Sequence, residues 1–133
     1  MKPNKNTRVP GKLTTLVIDR RKWLRGTNDG TLLNTEGKMC CLGFACRKIG
    51  IAKDKLLDGT MPLTSVIEHK VDESTFATNI WMIEGNGSQY DVGVAAVLND
   101  RPGDFLFPET EREAGIKNIF AKHGCKVILG TKP

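Results

Sequence analysis

Apolar residues recur along the chain with two different periods, which predict where its strands and helices lie. Residues 13–18 are rich in β-branched side chains and predict a strand. Residues 39–49 show helical spacing, and Gly50 suits the left-handed C-terminal cap. Gly43 lies inside this helix, so another element is expected to approach closely there. The apolar stripe of the helix consists of Met39, Leu42, Cys46 and Ile49.

The second half of the chain predicts two more helices and a closing strand. Ser88, with Asp91 three residues later, is expected to cap a helix that stops at the turn-rich residues 99–103. Thr110 and Glu113 form a capping-box pattern for the last helix, which Gly124 ends, and residues 125–129 predict a strand. The expected buried faces are Tyr90, Val94, Val97 and Leu98 in the first of these helices, and Ile116, Ile119, Phe120 and His123 in the second.

Residues 52–87 carry the weakest pattern in the chain. Short apolar groups are separated by Pro62 and by several Thr and Ser residues. Two interpretations stay open: two strands at residues 65–71 and 77–83, or an irregular insert held in place by Phe76 and Trp81.

The element order predicts one small α+β domain over residues 12–133. About three helices are expected to pack on a small antiparallel sheet that includes the N-terminal and C-terminal strands. Residues 1–11, with two prolines and a glycine, are expected to form a flexible lead-in.

Composition supports a folded domain without a membrane span. The chain has 133 residues, of which 39% are hydrophobic and 26% charged, unlike the low-hydrophobicity, high-charge mixture of disordered chains. The apolar runs are far shorter than the roughly 20 residues that cross a bilayer. Because the polar, basic N-terminus has no signal-peptide core, the protein is expected to stay in the cytoplasm with reduced thiols.

Four cysteines and two histidines are the candidates for metal binding or nucleophilic chemistry: Cys40, Cys41, Cys46, Cys125, His69 and His123. Zinc sites usually use C-x2–4-C pairs, whereas Cys41 and Cys46 diverge on a helix, so no metal and no cofactor is expected. Cys40 lies near a helix N-terminus beside Lys38, which keeps a nucleophile possible, with His123 as its base. Packing as small apolar groups is the favoured role for Cys46, Cys125 and one of the Cys40–Cys41 pair.

A basic segment after the first strand is the candidate binding surface, in a chain whose net charge is +5. Cations beside an aromatic ring are typical of nucleotide and nucleic-acid binding. The alternative is a solvated turn that Trp23 anchors in the core. The candidate residues are Arg20, Arg21, Lys22, Trp23 and Arg25, with Arg101. Residues 85–88, two glycines before a helix, are either a phosphate site or a simple turn and cap.

Residues 37–44, Gly-Lys-Met-Cys-Cys-Leu-Gly-Phe, resemble a motif of small uncharacterised accessory proteins of tailed phages and prophages. Residues 17–26, 98–100 and 111–113 are similar as well, although Cys125 replaces an expected aliphatic residue. The resemblance implies an accessory protein that acts in the cytoplasm of a bacterial host, against a host enzyme or defence system. It carries over no catalytic residue.

Three function classes follow from these observations. The leading hypothesis is a non-enzymatic phage-encoded protein that binds a host cytoplasmic protein, as an inhibitor, an anti-defence factor or a takeover factor. The second is a nucleotide or nucleic-acid binding protein that uses residues 20–25. The third is a cysteine-dependent enzyme, although no P-loop, GxGxxG, HExxH or GxSxG motif is present. The oligomeric state stays open.

Overall fold

The computed structural model describes residues 13–27, 31–76, 79–83 and 90–130. The predicted lead-in at residues 1–11 and the predicted features at Ser88 and at residues 85–88 lie outside this part of the chain.

The described residues form four α-helices and two β-strands, which confirms a mixed α+β architecture but with four helices instead of about three. None of these helices is long and apolar enough to cross a membrane. Short 3-10 turns at Arg20–Lys22, Lys53–Lys55, Glu73–Phe76 and Ile80–Met82 connect them. The elements are β1 (Thr15–Asp19), α1 (Cys41–Lys48), α2 (Pro62–Glu68), α3 (Asp91–Asp100), α4 (Glu109–Lys122) and β2 (Lys126–Gly130).

The two strands are neighbours, as predicted, but they run parallel, so the prediction of an antiparallel sheet was wrong. Thr15 is paired with Lys126, and the register continues to Asp19 opposite Gly130. Parallel strands need a crossover connection, and a helix commonly supplies it. Here α4 directly precedes β2 and packs against it, so the chain has returned to the starting end of the sheet when β2 begins.

One face of this sheet belongs to the core. Leu16 and Ile18 of β1 and Val127 of β2 are buried, whereas Val17 and Ile128 on the other face are exposed. This alternation is what the two-residue period of a strand produces when only one face is covered. Helix α1 packs against β1 and α3.

Helix α1 has the predicted close approach, but it is shorter than the predicted stripe, because Met39 lies before the N-cap in a β-bridge with Trp23 and Ile49 is the C-cap. All four stripe residues are buried. A Cβ at Gly43 would overlap the backbone carbonyl of Leu32, so no larger residue fits there. Gly50 has the expected left-handed backbone, with φ +108°. Cys40 precedes the helix as its N-cap but makes no capping hydrogen bond with its side chain.

The insert contains a helix where a strand was one of the two interpretations. Helix α2 covers most of residues 65–71, and residues 80–82 form a 3-10 turn, so neither predicted strand is present there; residues 77 and 78 are not described. Pro62 at the first turn explains the helix, because its fixed φ and missing N–H suit that position. Phe76 and Trp81 are both buried, as the anchored-insert interpretation requires.

The buried faces of α3 and α4 differ from the predicted ones in informative ways. Helix α3 buries Val92, Gly93, Ala95 and Asn99, whereas the predicted Tyr90 and Val97 are exposed. Tyr90 is the N-cap of α3. Pro108, and not Thr110, is the N-cap of α4, so the predicted capping box at Thr110 was wrong. Ile116, Ile119 and Phe120 are buried as predicted, and His123 follows α4 as a partly exposed C-cap.

Candidate functional site

An open cleft of about 600 Å³ lies where the turn after β1 meets the start of α4. Five cationic side chains line it, against one carboxylate. Electrostatic attraction therefore favours an anionic group in this cleft. The lining residues are Arg20, Arg21, Trp23, Arg25, Gly26, Lys38, Gly103, Glu109 and Arg112.

Arg20 fixes one side of the cleft by a two-pronged ion pair. Its Nε and Nη2 atoms each donate to one carboxylate oxygen of Glu113, both at 3.0 Å, and its Nη1 donates to the carbonyl oxygen of Leu129 at 3.1 Å. The hydrogen bonds between Arg20 and Glu113 raise the pKa of Arg20 and hold the pKa of the Glu113 carboxyl below its usual range. Arg20 therefore ties the end of β1 to both α4 and β2.

Glu109 is shared between two guanidinium groups at the centre of the cleft. Its Oε1 accepts from Nε of Arg25 at 2.7 Å and from Nε of Arg112 at 3.1 Å. Arg112 also donates through Nη1 to the carbonyl oxygens of Leu98 and Asn99, at 2.8 and 2.9 Å. The two arginines are therefore held in fixed positions by one carboxylate and by the end of α3.

Trp23 supports the cleft from inside the core. Its ring is only 4% exposed, its Nε1 donates to Oδ1 of Asn99 at 2.7 Å, and the guanidinium carbon of Arg25 lies 4.5 Å from the ring centroid. Because Arg25 lies over the ring, Trp23 offers no open face for stacking a base. The anchoring role of Trp23 is thus the one that the structure supports.

Asn99 of α3 connects the basic segment after β1, residues 20–25, to α1 and α3. Its Oδ1 accepts from Trp23 Nε1 and, at 3.0 Å, from the backbone N–H of Cys41, and so caps α1 from α3. Its Nδ2 donates to the carbonyl oxygen of Leu24 and to Oδ1 of Asp100. Every hydrogen-bonding position of the amide is used, so this buried side chain fixes the floor of the cleft.

A rigid apolar turn lies next to the cleft, between α3 and α4. Phe105 and Leu106 at its tip are 90% and 72% exposed. Oδ1 of Asp104 accepts from the backbone N–H groups of Leu106 and Phe107, both at 2.9 Å. Phe107 is buried, and the guanidinium carbons of Arg101 and Arg112 lie 4.4 and 5.1 Å from its ring centroid. The turn is therefore anchored on its inner side, and Gly103 at its base lines the cleft.

The structure brings together only part of the predicted surface. Arg20, Arg21, Trp23 and Arg25 share the cleft, whereas the exposed Lys22 and Arg101 are not among its lining residues. The sequence pattern did not indicate five further residues of the cleft and the turn beside it: Lys38, Phe105, Leu106, Glu109 and Arg112. Arg112 had one usable signal, because it precedes Ile116 by four residues and so lies on the buried face of α4.

The cysteines do not contribute to the cleft. All four thiols are buried, where three were expected to be. Burial raises the pKa of the Cys40 thiol to about 12 and that of Cys125 to about 11, and it also raises the pKa of Cys41 and Cys46. These shifts disfavour the thiolate that nucleophilic attack requires. Within the described ranges, no group of three or more His, Cys, Asp or Glu side chains is arranged to hold a metal ion.

No protein-family model, no curated protein and no solved structure matches this chain. The likeness to phage accessory proteins therefore stays a resemblance carried by the motifs quoted above. Function has to be inferred from the cleft and from the apolar turn beside it.

Proposed function

We propose that the chain is a non-enzymatic binding protein that engages an acidic face of another protein. The apolar turn carries this proposal. Two large side chains, Phe105 and Leu106, stand in solvent on a hydrogen-bonded turn that keeps them there. Covering them with a partner would remove apolar area from water at little cost in loop ordering, because the turn is already fixed.

The neighbourhood of the turn has the composition of a protein interface. Aromatic and arginine side chains supply most of the binding energy in such interfaces, and apolar anchors lie at their centre. Here the cationic cleft begins at Gly103, two residues before Phe105. Its charge selects an acidic partner surface and accelerates the encounter with it.

The resemblance to phage accessory proteins favours a bacterial host protein in the cytoplasm as the partner. Binding that blocks the partner's own surface would make the chain an inhibitor, an anti-defence factor or a takeover factor. The buried thiols support a binding role over a cysteine-dependent reaction, because nucleophilic cysteines need a stabilised thiolate.

Nucleic acid is the second candidate, and the excess of cations in the cleft is the observation that favours it. Single-strand binding usually adds aromatic rings on which bases stack, and Trp23 is buried beneath Arg25. Phe105 is an exposed ring near the cleft, but its neighbour Leu106 extends an apolar surface that phosphates do not need. A protein partner uses both features.

The test is capture of a partner from bacterial lysate with immobilised wild type and with the double variant Phe105→Ser, Leu106→Ser. The matched control is Ile67→Ser, which removes a large apolar side chain that is 66% exposed on α2, outside the cleft. We expect a stoichiometric protein that wild type and the control retain and the double variant loses. Equal capture by all three proteins, or recovery of nucleic acid alone, contradicts the proposal.

A further inference from the structure

Arg112 is a buried cation with one nitrogen left unpaired in the cleft. Its side chain is 1% exposed, and its Nε and Nη1 atoms are fully engaged with Glu109 and with the two carbonyl oxygens at the end of α3. Among the residues that the structure describes, Nη2 has no hydrogen-bond partner. Nη2 is not among the buried atoms that lack a partner, because it faces the open cleft, so its donors are available to a ligand there.

The charge at this point is also only partly neutralised. Arg112 and Arg25 share the single carboxylate of Glu109, and Arg25 is itself only 16% exposed. Glu113 also acts electrostatically on Arg25, but the side chains that line this open cleft still carry more positive than negative charge, and the excess favours a further anion.

Two glycines keep the free nitrogen accessible. A Cβ at Gly26 would lie 3.2 Å from Nη2, and a Cβ at Gly103 would lie 3.5 Å from it. Any side chain at either position would therefore cover the nitrogen. Position 26 also requires glycine for its backbone, because its φ is +74°. Gly103 is not in the left-handed region, so its backbone does not require glycine. The effect of glycine at position 103 is that the space beside Nη2 stays open.

We propose that Nη2 of Arg112 donates to a carboxylate of an acidic segment in the protein partner, while Arg25 and Lys38 supply further positive charge. This inference rests on the proposed function and names the group that the cleft recognises. A carboxylate on a protein chain fits better than a phosphate on a nucleic acid, because Trp23 in the cleft is covered by Arg25 and the adjoining turn presents Leu106 beside Phe105, an apolar surface that a protein partner can cover.

Gly103→Ala is the sharpest variant because it leaves the net charge unchanged. Its Cβ meets Nη2 and the carbonyl oxygen of Phe107 only at ordinary van der Waals distances, 3.5 and 3.6 Å, so the fold should tolerate it. Lys38→Ala removes one cation from the cleft. Lys53→Ala removes an exposed cation outside the cleft and is the matched control.

The probe is a fluorescein-labelled hexaglutamate peptide, with binding measured by fluorescence anisotropy at low salt and folding checked by circular dichroism. We expect Gly103→Ala to weaken binding about tenfold, the loss of one charge-assisted hydrogen bond. Lys38→Ala should weaken it several-fold, and Lys53→Ala by less than twofold. Equal affinity of wild type and Gly103→Ala would overturn the inference, since unspecific attraction depends on charge alone.

A labelled hexathymidylate of similar charge is the second arm. Tighter binding of this oligonucleotide, lost in Gly103→Ala, would assign the site to phosphate and overturn the carboxylate. The captured partner separates this inference from the proposed function. If capture requires Phe105 and Leu106 but is unchanged by Gly103→Ala, the binding function stands and the carboxylate site falls. If hexaglutamate binding depends on Gly103 but no partner is captured, the cleft binds carboxylates and the proposed binding of a host protein falls.

Discussion

At the scale of single residues, Asn99 determines how the cleft is built. It is fully buried, and one amide group joins the ring of Trp23, the N-terminus of α1 and the backbone of Leu24. Helix α1 has no capping side chain of its own, so it depends on this contact from α3. A buried polar residue of α3 thus caps the N-terminus of α1, a role that a residue next to the helix in the sequence usually has.

Replacing this amide should have a large cost. Asn99→Ala leaves the buried donors of Trp23 and Cys41 and the partly buried carbonyl of Leu24 without their partner. Each unsatisfied group costs about 1–3 kcal/mol, so we expect the free energy of unfolding to fall by about 3 kcal/mol. Urea unfolding measures it. Asn118→Ala, at an exposed position of α4, is the control and should change stability by less than about 0.5 kcal/mol. A similar effect of both variants would refute the central role of Asn99.

The thiols allow a second prediction at this scale. Because all four are buried with raised pKa values, native protein should react with iodoacetamide at pH 7.5 far more slowly than a free cysteine does. In denaturant all four should be labelled rapidly, as mass spectrometry of timed samples can show. One thiol that reacts fast in the folded protein, at Cys40 or Cys41, would instead revive the cysteine-dependent enzyme.

At the scale of elements, two helical glycines make contrasting contacts. A Cβ at Gly43 of α1 would overlap the backbone carbonyl of Leu32, which cannot move aside alone. A Cβ at Gly115 of α4 would lie 2.9 Å from Cδ1 of Leu98, the far end of a flexible side chain. The same substitution therefore meets a rigid obstacle in one helix and an adjustable one in the other.

Gly43→Ala should destabilise the protein by about 2–3 kcal/mol, as overpacking does in well-packed cores. Gly115→Ala is the matched variant, since alanine gains about 1 kcal/mol over glycine in a helix interior and Leu98 can change rotamer. We expect its net effect to be below about 1 kcal/mol. Thermal unfolding of both variants gives the comparison, and equal destabilisation would contradict the close packing of α1 on the Leu32 backbone.

The pattern predicted some of these elements because their apolar residues are large and regularly spaced. Helix α1 is the clearest case, with every stripe residue buried. Helix α3 has only part of its predicted face: Val94 and Leu98 pack against the core, but Tyr90 and Val97 are exposed. The helix instead buries Gly93, Ala95 and Asn99, small or polar residues that an apolar pattern does not include. The predicted strand direction was wrong for another reason. Two neighbouring terminal strands can run parallel or antiparallel, and only the path of the chain through α4 decides between them.

The cleft shows the same limit of local patterns. Arg20, Arg21 and Arg25 form one cluster in the sequence and were found as such. Lys38 and Arg112 are distant from them along the chain and join the cleft only through tertiary packing. The sequence also did not indicate the exposed turn at Phe105 and Leu106, because two adjacent apolar residues predict burial in the core.

At the scale of the whole molecule, ion pairs connect the ends of the fold. Arg20 joins the end of β1 to Glu113 of α4, and Asp91 at the start of α3 forms an ion pair with Lys122 and a hydrogen bond with His123 at the end of α4. His123 also stacks on Trp81, with ring centroids 4.3 Å apart. These pairs hold the pKa values of both carboxyls, Asp91 and Glu113, below their ordinary values of 3.8 and 4.5.

Lowered carboxyl pKa values fix the sign of the pH dependence. The unfolded chain binds protons at Glu113 and Asp91 at higher pH than the folded chain does, so the stabilisation is complete above their ordinary values. It is lost as the pH falls through the folded-state values. We therefore expect the contribution of these two carboxyls to the Tm to fall as the pH drops below about 5, and the fall to continue below the ordinary pKa values of 4.5 and 3.8.

Glu113→Gln isolates one of these contributions. At pH 7 it should lower the free energy of unfolding by about 1 kcal/mol, a modest amount because the pair is about one-fifth exposed. The difference from wild type should shrink as the pH falls below about 4, because a protonated glutamate resembles glutamine. Glu36→Gln, an exposed position before α1, should follow wild type throughout. Stability curves for Glu113→Gln and wild type that stay parallel down to pH 3 would show that the pair with Arg20 does not stabilise the fold through its charge.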